Sequence, residues 1–172
     1  IENISIRTDA SGADVLSLAN ATGYTTLTNN RSADDLSFTN ISTTAVTLVA
    51  QNADETTFTF TAAAVAGTAD ATTLVIQGAN LSNALTTIAA AGITIAGIET
   101  LNISGALDGT TAATAPEITA ADVTTVNFTG AVAVDAGTLT NTSNITTING
   151  STMTGGGFSI ESADTGAFTV TG

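Results

Sequence analysis

Short stretches of four to six residues along this chain alternate apolar with polar side chains, and Thr, Val, Ile and Phe dominate them. Period-two alternation of β-branched and aromatic residues predicts half-buried strands. One phrase recurs: a β-branched or acidic residue, Thr, an aliphatic, a small polar residue and a second apolar residue. Its clearest copies are Ile98-Glu99-Thr100-Leu101-Asn102-Ile103-Ser104-Gly105 and Val123-Thr124-Thr125-Val126-Asn127-Phe128-Thr129-Gly130. With the aliphatic as register, the copies fall at Ile4, Leu27, Leu48, Leu74, Leu101, Val126, Ile148 and Val170, at intervals of 23, 21, 26, 27, 25, 22 and 22 residues. A loose period near 24 residues predicts stacked units, each unable to bury its apolar face until a neighbour covers it.

Between these phrases lie second, shorter alternations at Val15 to Leu18, Leu36 to Phe38, Phe58 to Phe60, Ile93 to Ile95, Val132 to Val134 and Phe158 to Ile160, so each repeat is expected to carry two strands. Asn29-Asn30, Asp108-Gly109 and Gly155-Gly156-Gly157 supply turn residues between them. One segment breaks the alternation: Leu81, Leu85 and Ile88 share a helical face, Asn80 or Ser82 can cap it and Gly92 can end it, which predicts a short helix at about 81–90. Pro116 marks a loop, since the residue before a proline is driven to extended backbone. The expected fold is all-β, a parallel right-handed β-solenoid of about eight rungs, about 38 Å long at about 4.8 Å per rung. An antiparallel β-sandwich is the alternative, because strands at this spacing fit it equally well. Residues 1–172 are expected to form a single repetitive β domain, and because the first residue is Ile1 rather than Met the chain is expected to be a processed product or a segment of a longer protein.

Composition sharpens this picture. Apolar residues make up 43% of the chain, too many for a disordered tail, yet only 4% are aromatic and much of the rest is Ala. Each buried side chain then contributes little area at about 25 cal/mol per Å², so stability must come from repetition rather than a few large anchors. Fifteen Asp and Glu against two Arg give a net charge of −13. Nucleic acid and anionic membranes are poor partners for such a surface, since phosphate contacts require Lys and Arg. No apolar run approaches the roughly 20 residues of a membrane helix, so no membrane insertion is expected. The chain has neither Cys nor His, which removes disulfides, thiolate sites and the commonest acid–base group, and leaves hard-cation oxygen chemistry.

The adjacent acid pairs are Asp34-Asp35 and Asp54-Glu55. Both fall in predicted turns, where carboxylates and carbonyls can converge on a hard cation; these four are the candidate metal ligands, with Asn29 and Asn30 as further oxygen donors to the first pair. Asp108, Asp122 and Asp135 read as turn formers. Catalysis is not expected: Arg7 and Arg31 are the whole cationic supply, no Ser-His or Cys-His pair exists, and Tyr24 alone could stack on a sugar. Asn-x-Ser/Thr triplets at Asn3, Asn20, Asn40, Asn102 and Asn127 are explained by composition. Thr-x-Thr runs at Thr57 to Thr61 and Thr169 to Thr171 lack the fixed period that an ice-binding face would need.

The phrases Gly97 to Ser104 and Asp122 to Gly130, on an Ala/Thr/Gly-rich, Lys-free and Cys-free background, resemble the β-rich body of bacterial surface-layer proteins of the type I-secreted, RTX-containing group. The resemblance implies a secreted, extracellular cell-surface protein, a lattice or filament subunit built as a β-solenoid, in which calcium commonly bridges or stiffens the units. The family's calcium repeat Gly-Gly-x-Gly-x-Asp-x-apolar-x does not occur; Gly155-Gly156-Gly157-Phe158-Ser159-Ile160-Glu161 comes nearest. The functional expectation is a self-assembling structural module, forming a homo-oligomeric lattice or filament stabilised by divalent cations, with calcium as cofactor and cell-surface polysaccharide as a further partner. An adhesin-like module recognising a surface glycan or protein is the alternative.

Overall fold

The computed structural model describes residues 2–9, 12–51, 53–78, 92–107, 113–115, 117–141, 143, 145–162 and 166–172. The helix expected at about 81–90 and the loop at Pro116 lie outside them, and no helix occurs among the described residues.

The recurring phrase forms one set of strands: β1 (Asn3–Ile6), β3 (Thr26–Asn30), β5 (Thr47–Gln51), β7 (Ala71–Gln77), β9 (Thr100–Ala106), β12 (Thr125–Gly130), β14 (Thr147–Met153) and β16 (Thr169–Thr171). The second alternations form the other: β2 (Asp14–Ser17), β4 (Leu36–Ile41), β6 (Thr56–Phe60), β8 (Ile93–Ile95), β10 (Ala113–Thr114), β11 (Glu117–Thr119), β13 (Val134–Thr140) and β15 (Phe158–Ser162). The first set stacks in chain order into an eight-stranded sheet. In the second sheet, β2, β4, β6, β8, β11, β13 and β15 follow in order, and β10 pairs the start of β13 beside β11. Every strand pairing is parallel. The chain is therefore an all-β parallel solenoid, and the antiparallel sandwich is set aside. It winds about six turns, against the eight rungs expected.

Alternation fixes which side chains enter the space between the sheets, since successive residues point to opposite faces. Leu27, Leu48, Leu74, Leu101, Val126 and Ile148 are all buried. Ile4 pairs with Leu27, Leu27 with Leu48, Leu48 with Leu74, Leu101 with Val126, Val126 with Ile148, and Ile148 with Val170. One step departs from the file expected from the sequence: Leu74 pairs with Ile103, and Leu101 with Thr72. A slip of two residues keeps the same side chains inward, so the apolar face survives. Thr72 becomes a buried polar residue in the core, and its hydroxyl donates to the carbonyl of Val46 at 3.0 Å, which meets the desolvation cost.

Four of the aromatics form stacked pairs between layers. Phe38 and Phe58 stack on adjacent turns with ring centres 5.3 Å apart. Phe128 of β12 and Phe158 of β15 come from opposite sheets and stack at 4.3 Å. Gly150 of β14 makes that second stack possible, because a Cβ there would lie 2.3 Å from the Phe158 ring. Asn40 makes a different local adjustment: its φ of 59° places it in the left-handed region that Asn tolerates, where the β4–β6 register shifts between Phe38 and Ile41.

Gly150→Ala is expected to destabilise the fold by about 1–3 kcal/mol through overpacking against Phe158. Gly157→Ala, whose added Cβ meets nothing within 4 Å, should leave stability unchanged. Denaturant melts of the two variants check this, and equal midpoints would contradict the layer packing.

Candidate functional site

The four acids proposed from sequence lie on one corner of the solenoid, where the chain leaves the first sheet for the second. Asp34 and Asp35 precede β4, and Asp54 and Glu55 precede β6. Leu36 pairs with Thr56, so the two acid pairs occupy matching positions on consecutive turns. The backbone holds them there: the Leu36 N–H donates to the Glu55 carbonyl at 3.0 Å, and the Asp54 N–H to the Ser32 carbonyl at 3.1 Å. Parallel stacking thus repeats the turn's charge instead of dispersing it.

A fifth acid joins them that sequence reasoning did not single out. Thr56 pairs with Ile93 and Ile93 with Ile118, so Glu55, Gly92 and Glu117 follow one another up this edge. Gly92 interposes no side chain between the two glutamates, and a Cβ there would meet the Glu117 carbonyl at 3.2 Å. The missed signal was strand β11 itself, three residues long and preceded by Pro116, which shows no clear alternation.

Partial burial pushes the Asp54 carboxyl above its ordinary value; the Glu55 N–H, donating at 2.9 Å to Oδ1, opposes this, while the charges of Asp35 and Asp34 add to the rise. Glu55 is raised by burial first, then by Asp35, Asp54 and Glu117. The corner therefore concentrates negative charge. Among the described residues, however, no three Asp or Glu side chains come together closely enough to hold a metal ion. Nor do the two asparagines complete a ligand set. Asn29 turns into the interior and donates to Thr56 Oγ1 at 2.8 Å, and Asn30 donates to Ser5 Oγ at 3.3 Å.

Other acids serve the corners as backbone acceptors. Glu99 Oε2 accepts from the Asp70 N–H at 2.7 Å, Asp122 Oδ2 from the Gly97 N–H at 3.0 Å, and Asp135 Oδ1 from the Gly137 N–H at 3.2 Å. Asp122 thus acts as the turn former expected, whereas Asp135 lies within strand β13 rather than in a turn, and Asp108 lies outside the described residues. Arg7 pairs with Asp9 at 2.9 Å, and both are exposed, where such a pair contributes little. Tyr24 is buried, and its hydroxyl accepts from the Ser42 N–H at 2.7 Å, so its ring offers no platform to a sugar. Beside β1 and β2, a groove of about 330 Å³ is lined by Ile6, Arg7, Asp14, Leu16 and Leu36.

No protein-family model, no curated protein and no solved structure matches the chain.

The raised carboxyls set a direction for pH dependence. A carboxyl whose native pKa exceeds its unfolded value binds its proton more readily when folded, so its contribution is fully present in acid. That contribution is lost as pH rises through the native value. The midpoint at about pH 3.5, below the unfolded values, should exceed that at about pH 7, and Asp54→Asn or Glu55→Gln should flatten the difference. Thermal melts of the three proteins at both values measure it; a slope that both variants leave untouched would contradict the crowding of these acids.

Proposed function

We propose that the chain is a structural module of a secreted bacterial cell-surface protein, a unit of a self-assembling layer or filament. The observation that carries this reading is the solenoid itself. Parallel strands stack into two sheets whose core runs through successive turns, and the side-chain chemistry is largely committed to holding one turn on the next. Hydroxyls and amides bond across turns, as Thr146 Oγ1 does to the Thr124 carbonyl at 3.1 Å and Asn127 Nδ2 to Asn102 Oδ1 at 2.8 Å. Such a scaffold gives length and stiffness, because each turn presents the next with the same corner and the same strand edge. Sequence resemblance to the surface-layer group supports the same assignment.

Divalent cations enter this reading as screening ions. A net charge of −13 opposes close approach of copies. The corner formed by Asp34, Asp35, Asp54 and Glu55 is where calcium has most repulsion to relieve, by loose association or by bridging neighbouring molecules.

Electron microscopy of the purified protein in about millimolar calcium should show ordered sheets or fibres that disperse in chelator, with a raised melting temperature in calcium. An unchanged melt and no assembly would remove the cation role. A monomer that never assembles but binds a defined glycan on an array would put an adhesin in its place.

A further inference from the structure

Charge is distributed unequally between the two sheets. The chain has fifteen acids and two arginines, and none of them falls within the eight strands of the first sheet. The strands of the second sheet carry Asp14, Glu117, Asp135 and Glu161, and the acidic corner lies against its entry edge. The outer face of the first sheet is therefore a neutral surface on a strongly acidic molecule.

Register shows what that face presents. Thr26, Thr47 and Thr73 form a column that Asn102, Asn127 and Asn149 continue on the following turns. A second column of threonines runs from Thr100 through Thr125 and Thr147 to Thr169. The side chains are already ordered by bonds along the columns, Asn127 to Asn102 at 2.8 Å and Thr171 Oγ1 to Asn149 Oδ1 at 3.0 Å. Little rotamer freedom is left to lose on docking.

We propose that this neutral Thr/Asn face of the first sheet is the surface through which one copy of the chain packs against a second copy. The inference rests on the self-assembling reading and names its contact. Two copies meeting through the second sheet or the acidic corner would bring like charges together, which costs several kcal/mol per close pair. Meeting through the strands of the first sheet brings none from the strands themselves, the nearest acids, Glu2, Asp70 and Glu99, lying at their entry edge. The face is also large enough: eight strands at about 4.8 Å and about five residues at about 3.3 Å give about 38 by 17 Å, or about 1,300 Å² counted on both partners. That reaches the range of about 1,200–2,000 Å² typical of specific interfaces. Columns of repeated side chains on a common pitch are self-complementary, as a two-fold contact between identical faces requires.

The experiment compares two double variants with the same added charge. Thr47→Glu with Thr125→Glu places acids on the first-sheet face, three levels apart, and Thr59→Glu with Ser159→Glu places them outward on the second sheet. Sedimentation velocity across a concentration series in calcium should show wild-type and second-sheet variant associating alike. The first-sheet variant should associate at least about tenfold more weakly with an unchanged melt. Thr73→Glu alone, a lighter perturbation, should shift association in the same direction should the double variant melt early. Association of the first-sheet variants equal to wild type, or equal loss in both double variants, would overturn the proposed face while leaving self-assembly standing. A wild-type chain that stays monomeric throughout would overturn self-assembly and the face with it.

Discussion

The structure depends on one constraint: no turn of this chain can hide its own apolar side chains. Each turn contributes small layers of Leu, Ile, Val, Ala and an occasional Phe, and these become buried only when the turns on either side lie over them in parallel register. Burial is correspondingly graded along the stack. Side chains such as Leu48, Leu74, Ile103 and Val126 are fully excluded from water, whereas Val170 on β16 remains 57% exposed. Parallel pairing therefore follows from burial, and the backbone ladder follows from pairing. Polar groups caught inside find partners, as Thr72 does in the Val46 carbonyl and the Asn29 amide N–H in Thr56 Oγ1, although Asn29 Oδ1 itself has none among the described residues.

The same stacking governs electrostatics. Whatever one turn places at a corner, the next turn places about 4.8 Å away, so residues that are harmless singly become columns. At the entry to the second sheet this brings Asp35 and Glu117 near Glu55, whose carboxyl is raised above its ordinary value by burial first and then by these neighbouring charges. On the outer face of the first sheet it produces ordered Thr and Asn ladders free of charge. An acidic exterior and a neutral face are two outcomes of one geometry, differing only in which residues the repeat assigns to each position.

Much of this fold is written in the sequence because alternation and burial are the same information. The eight aliphatics mark the first sheet, and the alternations around Leu36, Phe58, Ile93 and Phe158 mark strands of the second. What escaped is register at β7–β9. The phrase Thr73-Leu74 matches Thr100-Leu101 by residue type, yet the chain pairs Leu74 with Ile103. Alternation cannot distinguish registers two residues apart, since both keep the same face inward; only the fit of Thr72 beneath Leu101 does so. Strand β11 escaped for a similar reason, three residues being too few to show a period. The acid pairs were legible as turn residues, but their alignment on adjacent turns required the Leu36–Thr56 register, and Glu117 required an additional turn and the gap left by Gly92.

Parallel stacking in this register is tested most directly by cysteine pairs, since the chain has no cysteine of its own. Outward residues paired on adjacent parallel strands lie close enough for a disulfide, whereas a two-residue offset along the strand carries them out of range. Thr73→Cys with Asn102→Cys should oxidise within the monomer, and Thr73→Cys with Thr100→Cys should not. Closure of the second pair in preference to the first would contradict the register, and closure of neither would contradict the stack.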